Sequence, residues 1–241
     1  EMIDSADLAA RALANDPAAR ILGGGTLVMS HINAGDQKIR TLYRVNDPDL
    51  QIMRDSGSEV ELGAGVTMAD ILSRPGLDFL HDAARSVGGP AIRNMATIGG
   101  NLFARAPYGD LATLLLALGA EVRLAEGRTA AVDDLFRTAL SGAAPMIRSV
   151  RIRRPDQGSV QFLKMSRMKP RGPAIVSIAV VLEQSAGRIR EARVALGGVQ
   201  DRPCLSKESG RALQGNRLDS QSIDKAVHQS LEGVTARTDA I

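Results

Sequence analysis

Arg93-Asn94-Met95-Ala96-Thr97-Ile98-Gly99-Gly100-Asn101-Leu102, followed at Asp110-Leu111 by a leucine-rich run, is the stretch that decides the fold. From Gly88 to Asn101 there is no helical stripe and there are many turn formers, so this segment is expected to wander across a surface or cleft. The run after it is the strongest local signal in the chain. Leu111, Leu114, Leu115 and Leu118 fall at i, i+3, i+4 and i+7, and Gly119 supplies a stop. Asp110 opens that helix, where its carboxylate satisfies free amides whatever the function. A carboxylate beyond a diphosphate loop is also placed to accept bonds from ribose hydroxyls.

Gly99-Gly100, flanked by Thr97 and Asn101, has two readings. It is a turn in which Asn101 is left-handed and Thr97 caps, or it is one jaw of a diphosphate clamp with exposed backbone between a hydroxyl and an amide. Gly23-Gly24-Gly25-Thr26 is the matching candidate upstream. Three glycines after a strand leave amides unobstructed to converge on an anion, although a plain strand-to-helix turn has the same composition.

Working outward, Ser5 to Ala14 has helical spacing, Ala19 to Leu22 and Ile39 to Val45 read as strands, and Thr26 to Ile32 opens a second helix. Glu59 to Leu62 is a strand, Thr67 caps a helix from Met68 to Ser73, and a further helix covers Phe79 to Val87. Strands at Glu121 to Leu124 and Ser149 to Ile152 precede a boundary at Arg153-Arg154-Pro155-Asp156. Beyond it, Phe162 to Ser166, Ile175 to Leu182 and Ile189 to Leu196 form an antiparallel meander, and Ser206 to Leu231 supplies helices to pack on it. The expected organisation is α+β, with a small lobe over about 1–50, a larger lobe over 51–154 and a C-terminal domain over 155–241.

Gly63-Ala64-Gly65-Val66-Thr67-Met68 imitates a dinucleotide fingerprint, but Met68 stands where Gly or Ala is needed for close packing, so it is read as a decoy. No Walker-type Gly-Lys-Ser/Thr sequence is present. Arg148, Arg151, Arg153 and Arg154 read as a solvated edge strand or as a docking patch for an acidic partner. Lys164, beside Phe162 and Leu163, either reaches water or neutralises a flavin or a phosphate.

The 241 residues carry a formal charge of +3, two Tyr, four Phe and no Trp, which argues against nucleic-acid binding. Cys204 is the single cysteine, so the chain cannot ligate an iron-sulfur cluster by itself. His31, His81 and His228 have no ligand-like spacing, and no metal is expected on the chain. No run of about eighteen apolar residues exists and the start lacks signal-peptide order, so a cytoplasmic location is expected.

Loops, order and spacing together resemble the FAD-binding medium subunits of molybdenum hydroxylases, the family of carbon monoxide dehydrogenase and xanthine dehydrogenase, over nearly the whole chain. Ile21-Leu22-Gly23-Gly24-Gly25-Thr26 looks like that family's first flavin loop and Arg93 to Leu102 like its second. Phe162-Leu163-Lys164, Ala174-Ile175-Val176 and Ala195-Leu196-Gly197-Gly198-Val199 resemble its C-terminal domain. The resemblance implies a two-part FAD-binding domain of the vanillyl-alcohol-oxidase/PCMH type. It also implies that Ile21, Leu22, Gly23, Gly24, Gly25, Thr26, Leu27 and Val28, with Thr97, Gly99, Gly100 and Asn101, wrap the FAD diphosphate. Asp110 would lie toward the adenosine side, and Val87, Ile147 and Lys164 near the flavin end, with no catalytic side chain assigned.

Two departures stand out. Leu27 replaces a usual Ser, Asp or Asn, and the basic segment Met168 to Pro173 replaces one that often carries an acidic residue. The family's usual assembly places molybdopterin on a large subunit and two iron-sulfur clusters on a small one, in a dimer of heterotrimers. This chain would carry electrons from the clusters to NAD, a quinone or another acceptor. A self-contained FAD-dependent reductase and a flavinless assembly scaffold are the competing readings.

Overall fold

The computed structural model describes residues 1–138, 144–168, 172–230, 232, 234 and 235. The expected basic segment at 169–171 lies outside them, as does the end of the C-terminal tail. In chain order the elements are β1 (Met2–Ile3), α1 (Ala6–Asn15), β2 (Ala19–Ile21), α2 (Val28–Asn33), β3 (Thr41–Val45), a 3-10 turn at Pro48–Gln51, β4 (Met53–Asp55) and β5 (Glu59–Gly63). Then come α3 (Met68–Ser73), α4 (Asp78–Ser86), α5 (Pro90–Arg93), α6 (Ile98–Leu102), α7 (Asp110–Ala117), β6 (Glu121–Leu124), β7 (Thr129–Ala131), α8 (Val132–Thr138) and β8 (Ile147–Arg153). The C-terminal part holds β9 (Val160–Ser166), β10 (Ala174–Ser185), β11 (Arg188–Gly197), β12 (Cys204–Leu205), α9 (Lys207–Leu213) and α10 (Ser220–His228).

Three sheets result. A three-stranded sheet ordered β1-β3-β2 is parallel and forms the first lobe. A five-stranded antiparallel sheet runs β4-β5-β8-β6-β7, and a four-stranded antiparallel meander runs β12-β11-β10-β9. This is the expected α+β organisation. The first helix starts where Ser5 accepts from the Leu8 amide, and Thr67 with Asp70 makes a reciprocal capping box on α3.

Helix α7 joins the two larger sheets. Its leucine spacing predicts one apolar face, yet every residue from Asp110 to Ala117 is buried. The reason lies on its second face, where Thr113 Oγ1 approaches Ser177 Oγ at 3.4 Å and an added Cβ on Gly197 would overlap both hydroxyls. Arg193 closes the far end by donating to the carbonyls of Ala117 and Leu116 at 2.8 and 3.2 Å. A helix apolar on all sides is one packed between layers. Accordingly the main core cluster includes Phe162, Ala179 and Ala195 along with the leucines of α7.

Two expectations are corrected. The segment 88–101 is not irregular: Pro90 at N1 starts α5, and Thr97 starts α6 by accepting from the Gly100 amide at 3.2 Å. Turn-forming residues concealed two helices too short to show a stripe. Nor is the arginine-rich strand an edge, because β8 sits in the middle of its sheet. Arg148 bonds Asp7, Asp47 and Asp49, Arg151 bonds Glu59, and Arg154 bonds Asp55 and lies over the Phe79 ring. These charges hold lobe to sheet and strand to strand, while Arg153 is exposed.

Candidate functional site

The two glycine loops meet. Strand β2 ends at Ile21, the Leu22 amide still donates to Tyr43 O at 2.8 Å, and the chain then leaves the sheet as Gly23-Gly24-Gly25. Gly24 packs on the backbone of the second loop so closely that an added Cβ would overlap the Met95 carbonyl oxygen. A Cβ on Gly23 would stand 3.0 Å from Thr97 Oγ1. Among the described residues no protein oxygen accepts from the amides of Gly23, Gly24, Gly25 or Thr26. Backbone donors left unpaired beside glycines are what an anionic ligand requires. Leu27 occupies the N-cap position of α2 with no side-chain hydrogen bond, and Val28 begins the helix.

The second loop is built differently. Gly99 N–H donates to Ala64 O at 2.8 Å and Ile98 N–H to Val66 O at 2.9 Å, so these amides anchor α6 to the turn after β5. Asn101 is helical rather than left-handed, buried, and accepts the Ala112 amide at 2.9 Å through Oδ1. It therefore caps α7, and Gly109 rather than Asp110 holds the N-cap position. In the apparent fingerprint, the amides of Gly63 and Gly65 donate to Ile52 O and Leu50 O, a structural use that agrees with its reading as a decoy.

Asp110 and Lys164 form one unit. Lys164 Nζ donates to Asp110 Oδ2 at 2.6 Å and to Ser86 O at 3.2 Å, with the two charged side chains 9% and 6% exposed. Burial pushes the Asp110 carboxyl above the ordinary aspartate range, and the Lys164 ammonium opposes that. Asp110, expected toward the adenosine side, and Lys164, expected near the flavin end, are therefore in direct contact with each other. Ile147 is corrected: it is 2% exposed, points into the core and offers no surface to a ligand. Val87 is half-buried as the C-cap of α4, next to the Ser86 carbonyl that receives Lys164.

Sequence reasoning assigned no role to Arg93 or Ser86, although Arg93 opens the decisive stretch. Arg93 is 8% exposed, and its Nη1 donates to the carbonyls of Arg85, Val87 and Gly88 at 3.3, 3.4 and 2.5 Å. An arginine at the start of a glycine-rich motif was the available signal. Cys204 lies elsewhere; burial, then the Asp133 carboxylate, pushes its thiol up to about 11, which leaves it a poor nucleophile.

Residues 3–152 match the model of the FAD binding domain in molybdopterin dehydrogenase, and residues 161–240 match the CO dehydrogenase flavoprotein C-terminal domain. The chain belongs to this flavoprotein family. Family members include the carbon monoxide dehydrogenase medium chain of Afipia carboxidovorans, 32% identical over 78% of this chain and 68% of that one. The nicotine 6-hydroxylase medium subunit of Paenarthrobacter nicotinovorans is 30% identical over 92% and 81%. Reconstituted CO dehydrogenase from Oligotropha carboxidovorans superimposes with a TM-score of 0.88 at 28% identity, covering 99% of this chain and 88% of that one. The family is one of oxidoreductases, and the unengaged amides of Gly23 to Thr26 fit its FAD. Among the described residues, no helix is long and apolar enough to cross a membrane and no cluster of His, Cys, Asp and Glu is arranged to hold a metal.

Proposed function

We propose that this chain is the electron-transfer subunit of a molybdenum hydroxylase complex. It takes electrons from iron-sulfur clusters on a small partner subunit, beside a large molybdopterin subunit in a dimer of heterotrimers, and delivers them to NAD, a quinone or another acceptor in the cytoplasm. One observation carries the reading: a row of backbone amides at Gly23 to Thr26, laid against Thr97, that no acceptor among the described residues engages. The medium chains among its relatives support the partnership, and a single cysteine in these 241 residues means that they cannot by themselves hold a cysteine-ligated cluster.

The residues divide by task. The Gly23 to Thr26 amides and Thr97 hold the diphosphate, with Ile21, Leu22, Leu27 and Val28 shaping that loop. Gly99, Gly100 and Asn101 fix the second loop beneath it through bonds to Ala64, Thr97 and Ala112. The Lys164–Asp110 pair and the turn after α4 lie at the flavin end, where a cation suits the electron-rich edge of the ring. FAD, when bound, supplies the redox chemistry; the chain binds it, orients it and sets the charge around it.

The test is the visible spectrum of the natively purified protein with whatever accompanies it, followed by identification of the flavin released on denaturation. FAD together with iron-sulfur absorbance from associated subunits is expected. Flavin on an isolated chain that turns over NAD(P)H alone favours a self-contained reductase, and failure to take up FAD on reconstitution overturns the proposal.

A further inference from the structure

The C-terminal turn of α4 ends in four consecutive carbonyls, and two cations donate to all four. Arg93 takes those of Arg85, Val87 and Gly88, and Lys164 takes that of Ser86. A helix C-terminus carries partial negative charge and unpaired acceptors, so one partly shielded from water gains from donors and favours cations. The two cations come from different places. Arg93 begins the second glycine loop, two residues before the Met95 carbonyl that packs on Gly24, whereas Lys164 comes from β9 and also bonds Asp110 at the start of α7.

A continuous run of contacts follows: Gly24 on Met95, Arg93 on the 85–88 turn, and that turn on Lys164 and Asp110. Arg93 is the member of this run that ties the second glycine loop to the turn carrying the Lys164 contact. If it were removed, part-buried carbonyls would lose a charged donor. Lys164 would then be the nearer cation for the whole helix end, and Val87 and Gly88 would be released from their present position.

We infer that Arg93 is a positioning residue for the flavin half of the cofactor, holding the Ser86–Gly88 turn and Lys164 in register with the diphosphate cradle. This rests on the FAD-binding reading above. It assigns Arg93 no contact with the reacting atoms.

The experiment titrates the flavin-free 241-residue chain separately with FAD and with ADP, which shares only the adenosine diphosphate half, and records visible circular dichroism of the bound flavin. For Arg93→Met, FAD affinity is expected to fall about tenfold, the equivalent of one lost net hydrogen bond, while ADP affinity stays within about twofold. The flavin dichroism should change shape. Arg93→Lys, which keeps charge but has a shorter reach, should show the same selective loss in smaller measure, and it decides the question if Arg93→Met does not fold. Unchanged FAD affinity and dichroism in a folded variant overturn the inference, as does an equal loss of FAD and ADP. Failure of both variants to fold assigns Arg93 to structure alone and overturns it as well. If the wild-type chain itself binds no FAD, the proposed function falls first and takes this inference with it.

Discussion

Gly24 is the residue at which fold and cofactor binding meet. Its missing side chain lets the first loop lie directly on the Met95 carbonyl, and its amide stays free for a ligand. Gly24→Ala is expected to push the loops apart, costing about 1–3 kcal/mol of stability, as overpacked sites do, and abolishing FAD uptake. Gly89→Ala is the control. Gly89 has φ −85 and ψ 177, which any residue adopts, and a Cβ there meets nothing within 4 Å. Urea unfolding and flavin fluorescence on both variants measure the difference. Equal behaviour of the two would show that the loop contact is dispensable.

Among the elements, β5 and β8 show how charge is organised across the five-stranded sheet. Burial raises the Glu61 carboxyl, but hydrogen bonds from Ser149 Oγ at 2.6 Å and Arg123 at 2.9 Å, with Arg54 nearby, hold it net below the ordinary glutamate range. A carboxylate depressed in the folded state contributes stability above its unfolded value of about 4.5, and that contribution is lost as pH falls through the folded value. Glu61→Gln should therefore be less stable than wild type near neutrality, and the gap should narrow as the pH drops below about 4.5. Denaturant midpoints across that range check the sign; a gap that widens toward acid would refute it. The longer strands were legible from their apolar runs, and α7 because four leucines share its spacing, but β1, β4, β7 and β12, of two or three residues each, were not. The helices α5 and α6 were not legible, since four and five residues display no period and their start signals, Pro90 and Thr97, read equally well as turns. The glycine loops were visible as candidates, but the Lys164–Asp110 contact joins residues 54 positions apart, which local spacing cannot report.

At the scale of the molecule, the sequence suggests a break at Arg153-Arg154-Pro155-Asp156, and the two family models meet around the same place, with the first ending at residue 152 and the second starting at 161. The packing crosses that break. Thr113 is fully buried against Ser177 and Gly197, Arg193 caps the C-terminus of α7, and Phe162, Ala179 and Ala195 belong to the core that α7 anchors. A fragment ending at Arg154 would uncover one side of a helix apolar all round. It would also leave Asp110 buried without Lys164, and breaking one side of a buried pair costs about 3–5 kcal/mol. That is a large share of the roughly 5–15 kcal/mol by which a domain is stable. The 241-residue chain should accordingly unfold in one cooperative transition, whereas the 1–154 fragment should bind a hydrophobic dye, melt without a sharp transition and fail to retain FAD. A fragment with a sharp transition at the midpoint of the 241-residue chain would mean that the two parts fold independently and that α7 needs no cover from the C-terminal sheet.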